Sequence, residues 1–106
     1  MSKHKTLTFG EFIRELRENL KLPLRKIAAE LDIDPSLLGK IERNKRHPTK
    51  EQIKRLAQIF KQDENFLLSE FLSDQIAYKI IEEESDLNIL KVAERKVHYL
   101  KTKKNG

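Results

Sequence analysis

Three residues, Asp32, Ile33 and Asp34, separate two short segments of helical apolar spacing, and this connection constrains the fold more than any other feature. Residues 24–31 before it and residues 35–43 after it both place apolar side chains on one face. A connection this short fixes the angle between two helices, so that the second stands across the first. The sequence therefore predicts a tight helical corner with one projecting helix.

Each residue of the corner suits a particular backbone task. Asp32 stands where the chain must leave the first helix through a left-handed conformation, which aspartate tolerates better than most residues. Ile33 can turn inward, and Asp34 can accept hydrogen bonds from the free N–H groups of the next helix. Pro35 supplies the fixed φ of a first helical residue. The turn alone is also compatible with an ordinary helical hairpin.

Capping boxes predict where two other helices begin. Thr8 with Glu11 starts one helix near Phe9, and Thr49 with Gln52 starts another. The first of these helices carries an apolar stripe that we expect to face inward: Phe9, Phe12, Ile13, Leu16 and Leu20.

Two longer helices are predicted after these. Asp63 can cap a helix over residues 64–83, and Ser85 or Asp86 can cap another over residues 87–102. No run alternates apolar and polar residues for long enough to predict a strand. We therefore expect an all-α chain of about six helices.

Charge is distributed unevenly along the chain. Residues 1–61 carry a net charge of +7, residues 62–85 carry −6 and residues 86–106 carry +4. A basic first segment indicates a polyanionic partner, although an unevenly charged solvated surface explains the same numbers.

Composition excludes several classes of protein. There is no cysteine for disulfides or thiolate metal sites, and no stretch has the length of a secretory or membrane-spanning segment. His4, His47 and His98 are scattered, and three isolated glycines cannot form a phosphate-binding loop. We expect a cytoplasmic protein that is not an enzyme and has no metal, cofactor or small-molecule ligand.

Residues 9–68 resemble the Xre-type, phage-repressor-like helix-turn-helix family of transcriptional regulators. The matching segments are "IRELRENLKL", "KIAAELDID", "SLLGKIERNKRHPT" and "IKRLAQIFKQDENFLL". Asn44 replaces the family's glycine, and because asparagine also tolerates positive φ the turn should survive. The resemblance implies a five-helix repressor-like helix-turn-helix domain with a C-terminal helical extension, about six helices in all. We expect the DNA-binding domain over residues 1–62 and the dimerisation extension over residues 63–106.

The resemblance also implies how DNA would be bound, with the helix at residues 35–43 in the major groove. Base contacts are implied for Pro35, Ser36, Leu37, Gly39 and Lys40. Contacts to the DNA backbone are implied for Arg25, Lys26, Arg43, Asn44, Lys45 and Arg46. Burial and groove contact are equally compatible with Leu37. Leu24 replaces a phosphate-binding glutamine of the family, so Arg25 is expected to take that role.

Two further expectations concern the frame that holds this helix. The resemblance implies an ion pair between Arg17 and Glu42, and the alternative is a surface pair of little energetic weight. Gly39 costs roughly 1 kcal/mol relative to alanine inside a helix. A side chain there is therefore expected to collide with DNA or with the first helix.

The C-terminal helices carry more apolar surface than one small domain can cover. We expect them to pair with a second copy of the chain through Leu68, Phe71, Leu72, Ile76, Ile80, Leu90, Val97 and Leu100. Two alternatives are a six-helix monomer and a complex with an unlike protein.

These features favour a sequence-specific DNA-binding regulator that binds double-stranded DNA at a palindromic operator as a homodimer. Restriction-modification controllers and phage or plasmid repressors fit the pattern equally well. The alternative is a protein-interaction module, such as an antitoxin whose C-terminal helices bind an unlike partner. RNA binding is disfavoured because the chain lacks the usual aromatic stacking platforms.

Overall fold

The structure, a computed structural model, describes residues 5–105, so that His4 lies outside the described part. These residues form six helices and no strand, which confirms the expected all-α class. The helices are α1 (Phe9–Asn19), α2 (Leu24–Leu31), α3 (Pro35–Glu42), α4 (Lys50–Phe60), α5 (Glu64–Glu82) and α6 (Ile89–Asn105). The chain divides into two compact units, Met1–Asp74 and Gln75–Gly106.

Side-chain caps begin α1 and α4 as the sequence predicts. The Thr8 hydroxyl accepts from the Glu11 N–H at 3.2 Å, and the Glu11 carboxylate accepts from the Thr8 N–H at 3.0 Å. Thr49 and Gln52 make the same reciprocal bonds at 3.0 and 2.9 Å. Both capping boxes are therefore confirmed, and each satisfies two N–H groups that the first helical turn leaves free.

The predicted corner between α2 and α3 is also present. Asp32 lies in the left-handed region with φ 57° and ψ 45°, and Ile33 is half-buried against the core. The Asp34 carboxylate accepts from the Ser36 N–H at 3.0 Å, and Pro35 is the first residue of α3. These roles of Asp32, Asp34 and Pro35 are confirmed.

The start of α6 differs from the prediction by two residues. Asp86 accepts from the Asn88 N–H at 2.7 Å, but the chain makes a tight turn before α6 begins at Ile89. The Ile89 N–H donates to the Asp86 carbonyl, three residues back, rather than four. The cap at Asp86 is therefore used for a turn and not for the first turn of an α-helix.

The core of the first unit takes its largest side chains from α1 to α4 and from the first third of α5. The fully buried ones are Phe9, Ile13, Ile27, Leu38, Ile41, Ile53, Leu56 and Leu67. Leu20 was expected to face inward, but this prediction is wrong: Leu20 is the C-cap of α1 and is 56% exposed. The helix has ended there, so the helical spacing no longer directs the side chain.

The division between the two compact units lies inside α5, after Asp74. Leu67 is fully buried in the first unit, and Leu68 and Phe71 pack against the same core. The Phe71 ring meets the Phe9 ring edge to face, with centroids 5.7 Å apart. The first eleven residues of α5 therefore belong to the first unit, which they stabilise through Leu67, Leu68 and Phe71.

The second unit has a different character because none of its side chains at residues 75–104 is buried. Its large apolar side chains that remain exposed are Ile76, Tyr78, Ile81, Leu87, Ile89, Leu90, Val97, Tyr99 and Leu100. Within residues 5–105, no helix combines the length and the apolar character needed to cross a bilayer.

Candidate nucleic-acid interface

Helix α3 has one buried face and one exposed face. Leu38, Ile41 and Glu42 are buried, whereas Ser36 and Lys40 are exposed. Pro35, the first residue of α3, is exposed as well. Leu37 is half-buried and packs against the core, so much of its surface serves folding. The side chains free to meet a ligand are therefore Pro35, Ser36 and Lys40.

Polar groups at the start of α3 are arranged by Asp34. Its carboxylate oxygen accepts from the Ser36 N–H and from the Ser36 hydroxyl, each at 3.0 Å. The bond from the Ser36 N–H, with the one from the hydroxyl, lowers the pKa of Asp34 below its usual value, although the group is fully exposed. Because the Ser36 hydroxyl donates its hydrogen bond to Asp34, its oxygen is left to accept a hydrogen bond from a ligand.

Gly39 is buried beneath two side chains of its own chain. A Cβ added at Gly39 would lie 3.2 Å from the end of the Arg43 side chain and 3.5 Å from Leu24. A collision with α1 was one of the two expectations for a side chain at Gly39, but no residue of α1 is among these neighbours. Because the Arg43 guanidinium can move, the folded chain itself gives little reason for a glycine at this position.

Exposed cations lie on both sides of α3 in the sequence. Arg25 and Lys26 begin α2, and Arg43, Lys45 and Arg46 follow the end of α3. Neither these residues nor Lys40 enters any ion pair found among residues 5–105. They can therefore bind phosphates without breaking an internal salt bridge.

Asn44 has a structural role that the sequence analysis did not assign to it. Its φ is 61°, which confirms the positive φ expected where the family has glycine. Its amide oxygen accepts from the Gly10 N–H at 3.1 Å, and its amide nitrogen donates to the Thr8 hydroxyl at 2.7 Å. Asn44 thus ties the turn after α3 to the start of α1.

Gly10 explains why α1 can lie so close to this turn. A Cβ at Gly10 would come within 2.5 Å of the carbonyl oxygens of both Ile41 and Glu42. Only a residue without a side chain allows that approach. The sequence does not predict this role, because the pattern around Gly10 indicates a helix start and carries no signal of a neighbouring backbone.

Arg17 and Glu42 form a buried, two-bond ion pair. Arg17 Nε donates to Glu42 Oε2 at 2.8 Å, and Arg17 Nη2 donates to Glu42 Oε1 at 3.0 Å. The Glu42 side chain is only 5% exposed and that of Arg17 is 13% exposed. The bond to Glu42 raises the pKa of Arg17 above its ordinary value, against the effect of burial. The pair joins the last residue of α3 to α1.

Asp74 of α5 binds the first residue of α1. Its carboxylate accepts from the Phe9 N–H, the first of α1, at 2.7 Å. Burial raises the pKa of Asp74, although the bond from Phe9 opposes this, and the nearby charge of Glu11 raises it further. The sequence offers no signal for this contact because 65 residues separate its partners.

The residues predicted to form a dimer interface fall into two groups. Leu68 and Phe71 pack on the core of the first unit, as described, and have little surface left for a partner. The members of the list with the most exposed side chains are Leu72, Ile76, Leu90, Val97 and Leu100. Ile80 is half-buried. The apolar surface that is free for association therefore begins near Leu72.

Comparison with known protein families identifies the fold. Residues 10–70 match the model of a family described as the helix-turn-helix domain. The chain belongs to this family. The predicted Xre-type, repressor-like character of this helix-turn-helix protein is thereby confirmed. No curated protein sequence matches the chain significantly.

Solved structures support the same assignment. The restriction-modification controller protein C.AhdI from Aeromonas hydrophila is 30% identical, with a TM-score of 0.51 over 56% of this chain and 89% of that one. PA4674 from Pseudomonas aeruginosa, solved with a 28-bp operator DNA, is 17% identical, with a TM-score of 0.59 over 74% and 91%. The clp gene regulator ClgR from Corynebacterium glutamicum is 19% identical, with a TM-score of 0.54 over 83% and 88%. The last two show the shared fold alone.

Proposed function

We propose that this helix-turn-helix protein is a sequence-specific transcriptional regulator that binds a palindromic operator as a homodimer, with α3 in the major groove. The observation that carries the proposal is the division of α3 into a buried face and an exposed face bearing Ser36 and Lys40. C.AhdI is a restriction-modification controller and PA4674 was solved with its operator, which supports a regulatory role for this fold.

The chemistry of the exposed face favours base contacts at the start of α3. Lys40 can donate to guanine O6 and N7. The Ser36 hydroxyl donates a hydrogen bond to Asp34, so its oxygen can accept a hydrogen bond from the amino group of adenine or cytosine. The carboxylate of Asp34 repels phosphates, so this end of α3 is directed at base edges and not at the DNA backbone.

Backbone contacts are assigned to the flanking cations, Arg25 and Lys26 before α3 and Arg43, Lys45 and Arg46 after it. Their charges attract any DNA sequence, and they fix the orientation of the first unit on the duplex. Three contacts join α3 and the turn after it to α1: the close approach of the backbone at Gly10, the hydrogen bond of Asn44 and the Arg17–Glu42 ion pair. These contacts hold α3 at a fixed depth in the groove.

Two features support a homodimer: the short length of α3 and the uncovered apolar side chains of the second unit. One helix of eight residues reads too few base pairs to select a site, and two copies double the sequence that is read. The second unit buries none of its side chains at residues 75–104, so a partner is needed to cover its apolar surface.

Substitution of Lys40 and Arg46 tests the assignment of DNA contacts. A binding site is first selected from a random DNA library, and affinities for it and for its point variants are then measured by fluorescence anisotropy. We expect Lys40→Ala to change the preferred base at one position of each half-site. We expect Arg46→Ala to weaken all sequences equally and to reduce the salt slope by about one.

Arg14→Ala is the matched control because it removes the same charge from the exposed face of α1, where Arg14 pairs with Glu18 at 3.0 Å. It should leave both base preference and salt slope unchanged. If the wild-type protein binds no DNA in a salt-dependent manner, or if all three variants behave alike, the proposed interface is wrong.

A further inference from the structure

One stripe of α6 stands out because its side chains are apolar over most of the length of the helix. Leu90, Ala93, Val97 and Leu100 follow the alternating three- and four-residue spacing of a helix that packs along another helix. All four are exposed. Val92 is the only residue of positions 89–104 that is not exposed.

Charge divides the second unit into two opposite ends. The turn between α5 and α6 is acidic, with Glu82, Glu83, Glu84 and Asp86. The end of α6 is basic, with Lys101, Lys103 and Lys104. The 17 residues of α6 span roughly 25 Å, so these ends are well separated. Two copies side by side in the same direction would place like charges together, whereas opposite directions would place unlike charges together.

An open apolar groove lies beside the first half of this stripe. It has a volume of about 370 Å³ and is lined by Gln75, Ile76, Lys79, Ile80, Ile89, Leu90 and Ala93. Its lining comes from the second half of α5 and the start of α6, so it lies entirely within the second unit. Its volume and largely aliphatic lining suit a few aliphatic side chains from a partner helix.

We propose that α6 pairs in antiparallel orientation with α6 of a second copy, about a two-fold axis near Arg95, and that each groove is filled by Val97 and Leu100 of the other copy. In such a pair, residues on opposite sides of the axis meet. Leu90 then lies against the second copy's Leu100, and Ala93 against its Val97. This arrangement rests on the proposed homodimer and specifies its interface.

The same register also matches the charged ends. With the axis near Arg95, the acidic turn containing Asp86 lies beside the second copy's Lys104. Next to the axis, Glu94 lies beside the second copy's Lys96. The apolar stripe and the charges therefore select the same antiparallel alignment, although they are independent features of the sequence.

Two substitutions at neighbouring exposed positions test the interface. Leu100 lies on the stripe and is 58% exposed, whereas Tyr99 lies beside the stripe and is 61% exposed. Neither supports the fold of the single chain, so we expect both Leu100→Asp and Tyr99→Asp to retain wild-type helical content. Light scattering without DNA should show a monomer for Leu100→Asp and a dimer for Tyr99→Asp. Equal behaviour of the two variants would overturn the proposed stripe.

Spin labels test the direction of pairing in the full chain, which has no native cysteine to interfere. Labels on Arg95→Cys should lie near the axis, separated by the interhelix distance of about 10 Å plus the two label arms. Labels on Lys103→Cys are 16 residues apart across an antiparallel pair and should be separated by roughly 24 Å along the axis. Equal distances at the two positions indicate parallel pairing and refute the proposal.

These outcomes separate this inference from the proposed function. A dimer that survives Leu100→Asp retains the proposed homodimer and DNA contacts but rejects the α6 interface. A wild-type monomer at micromolar concentration rejects both the interface and the homodimer, and the Lys40 and Arg46 experiments still test DNA binding by the first unit.

Discussion

Removing the Arg17 side chain should destabilise this protein far more than a typical surface substitution. Arg17 makes two bonds to Glu42, at 2.8 and 3.0 Å, and a third to the Leu22 carbonyl at 2.9 Å. In Arg17→Ala the Glu42 carboxylate keeps its charge in a position that is only 5% exposed. The cost is therefore dominated by a buried charge without a partner and not by the lost bonds.

The expected magnitude follows from the burial of both partners. Breaking a buried pair by removing one partner typically costs about 3–5 kcal/mol. Since Arg17 keeps some contact with water, we expect the lower end of this range, about 3 kcal/mol. For a folded unit of this size, each kcal/mol lowers Tm by about 4–8 °C, so Tm should fall by roughly 12–24 °C.

Arg14→Ala provides the matched comparison, because Arg14 lies on the same helix and pairs with Glu18 on the exposed surface. That pair should contribute less than about 1 kcal/mol. Urea denaturation followed by circular dichroism measures both variants, and Arg17→Met/Glu42→Met should recover most of the lost stability because no charge is left buried. Equal stabilities of Arg17→Ala and Arg14→Ala would refute the reasoning.

Three further predictions concern the frame around α3. Gly10→Ala should cost about 1–3 kcal/mol because its Cβ would meet two carbonyl oxygens at 2.5 Å, whereas Gly39→Ala should gain up to about 1 kcal/mol in thermal melts. Asn44→Ala should be less stable than Asn44→Gly by about 1 kcal/mol, since both lose the side-chain bonds but only alanine is strained at φ 61°. In an NMR titration Asp34 should titrate below its ordinary pKa of 3.8 and Asp74 above it. The stabilisation from Asp34 is therefore complete above its ordinary pKa and is lost as pH falls through its folded-state pKa, while the raised pKa of Asp74 favours folding when Asp74 is protonated.

Local chemistry made most of the helix starts predictable. Thr8, Thr49 and Asp34 form their caps with residues two or three positions away, so the signal lies within one short window of sequence. The left-handed positions at Asp32 and Asn44 were predictable for a similar reason, because both residue types tolerate positive φ.

Other helix ends could not be read from residue type. Lys21 and Lys61 also have positive φ, at 57° and 53°, although lysine has no preference for it. The Leu22 N–H donates to the Arg17 carbonyl, and the Gln62 N–H donates to the Ala57 carbonyl, which closes each helix. Backbone hydrogen bonding imposes these conformations, so the side chain carries no signal.

The frame of the candidate site was only partly predictable. The Arg17–Glu42 ion pair was predicted from the family resemblance and not from the spacing of the two residues in the sequence. The bonds from Gly10 to Asn44 and from Phe9 to Asp74 join residues 34 and 65 positions apart, and no local pattern reports such distances. These contacts emerge only when the helices have packed.

The two-sided construction of α3 has a consequence for how binding specificity can change. Its buried residues, from Leu38 to Glu42 with the exception of Lys40, hold the helix in place, whereas the Ser36 and Lys40 side chains are exposed. A new side chain at Ser36 removes the hydroxyl bond to Asp34. If α3 binds DNA as proposed, a new side chain at Lys40 should alter which operator is chosen while leaving the scaffold equally stable. In that case the DNA preference of the chain can change without a stabilising substitution elsewhere.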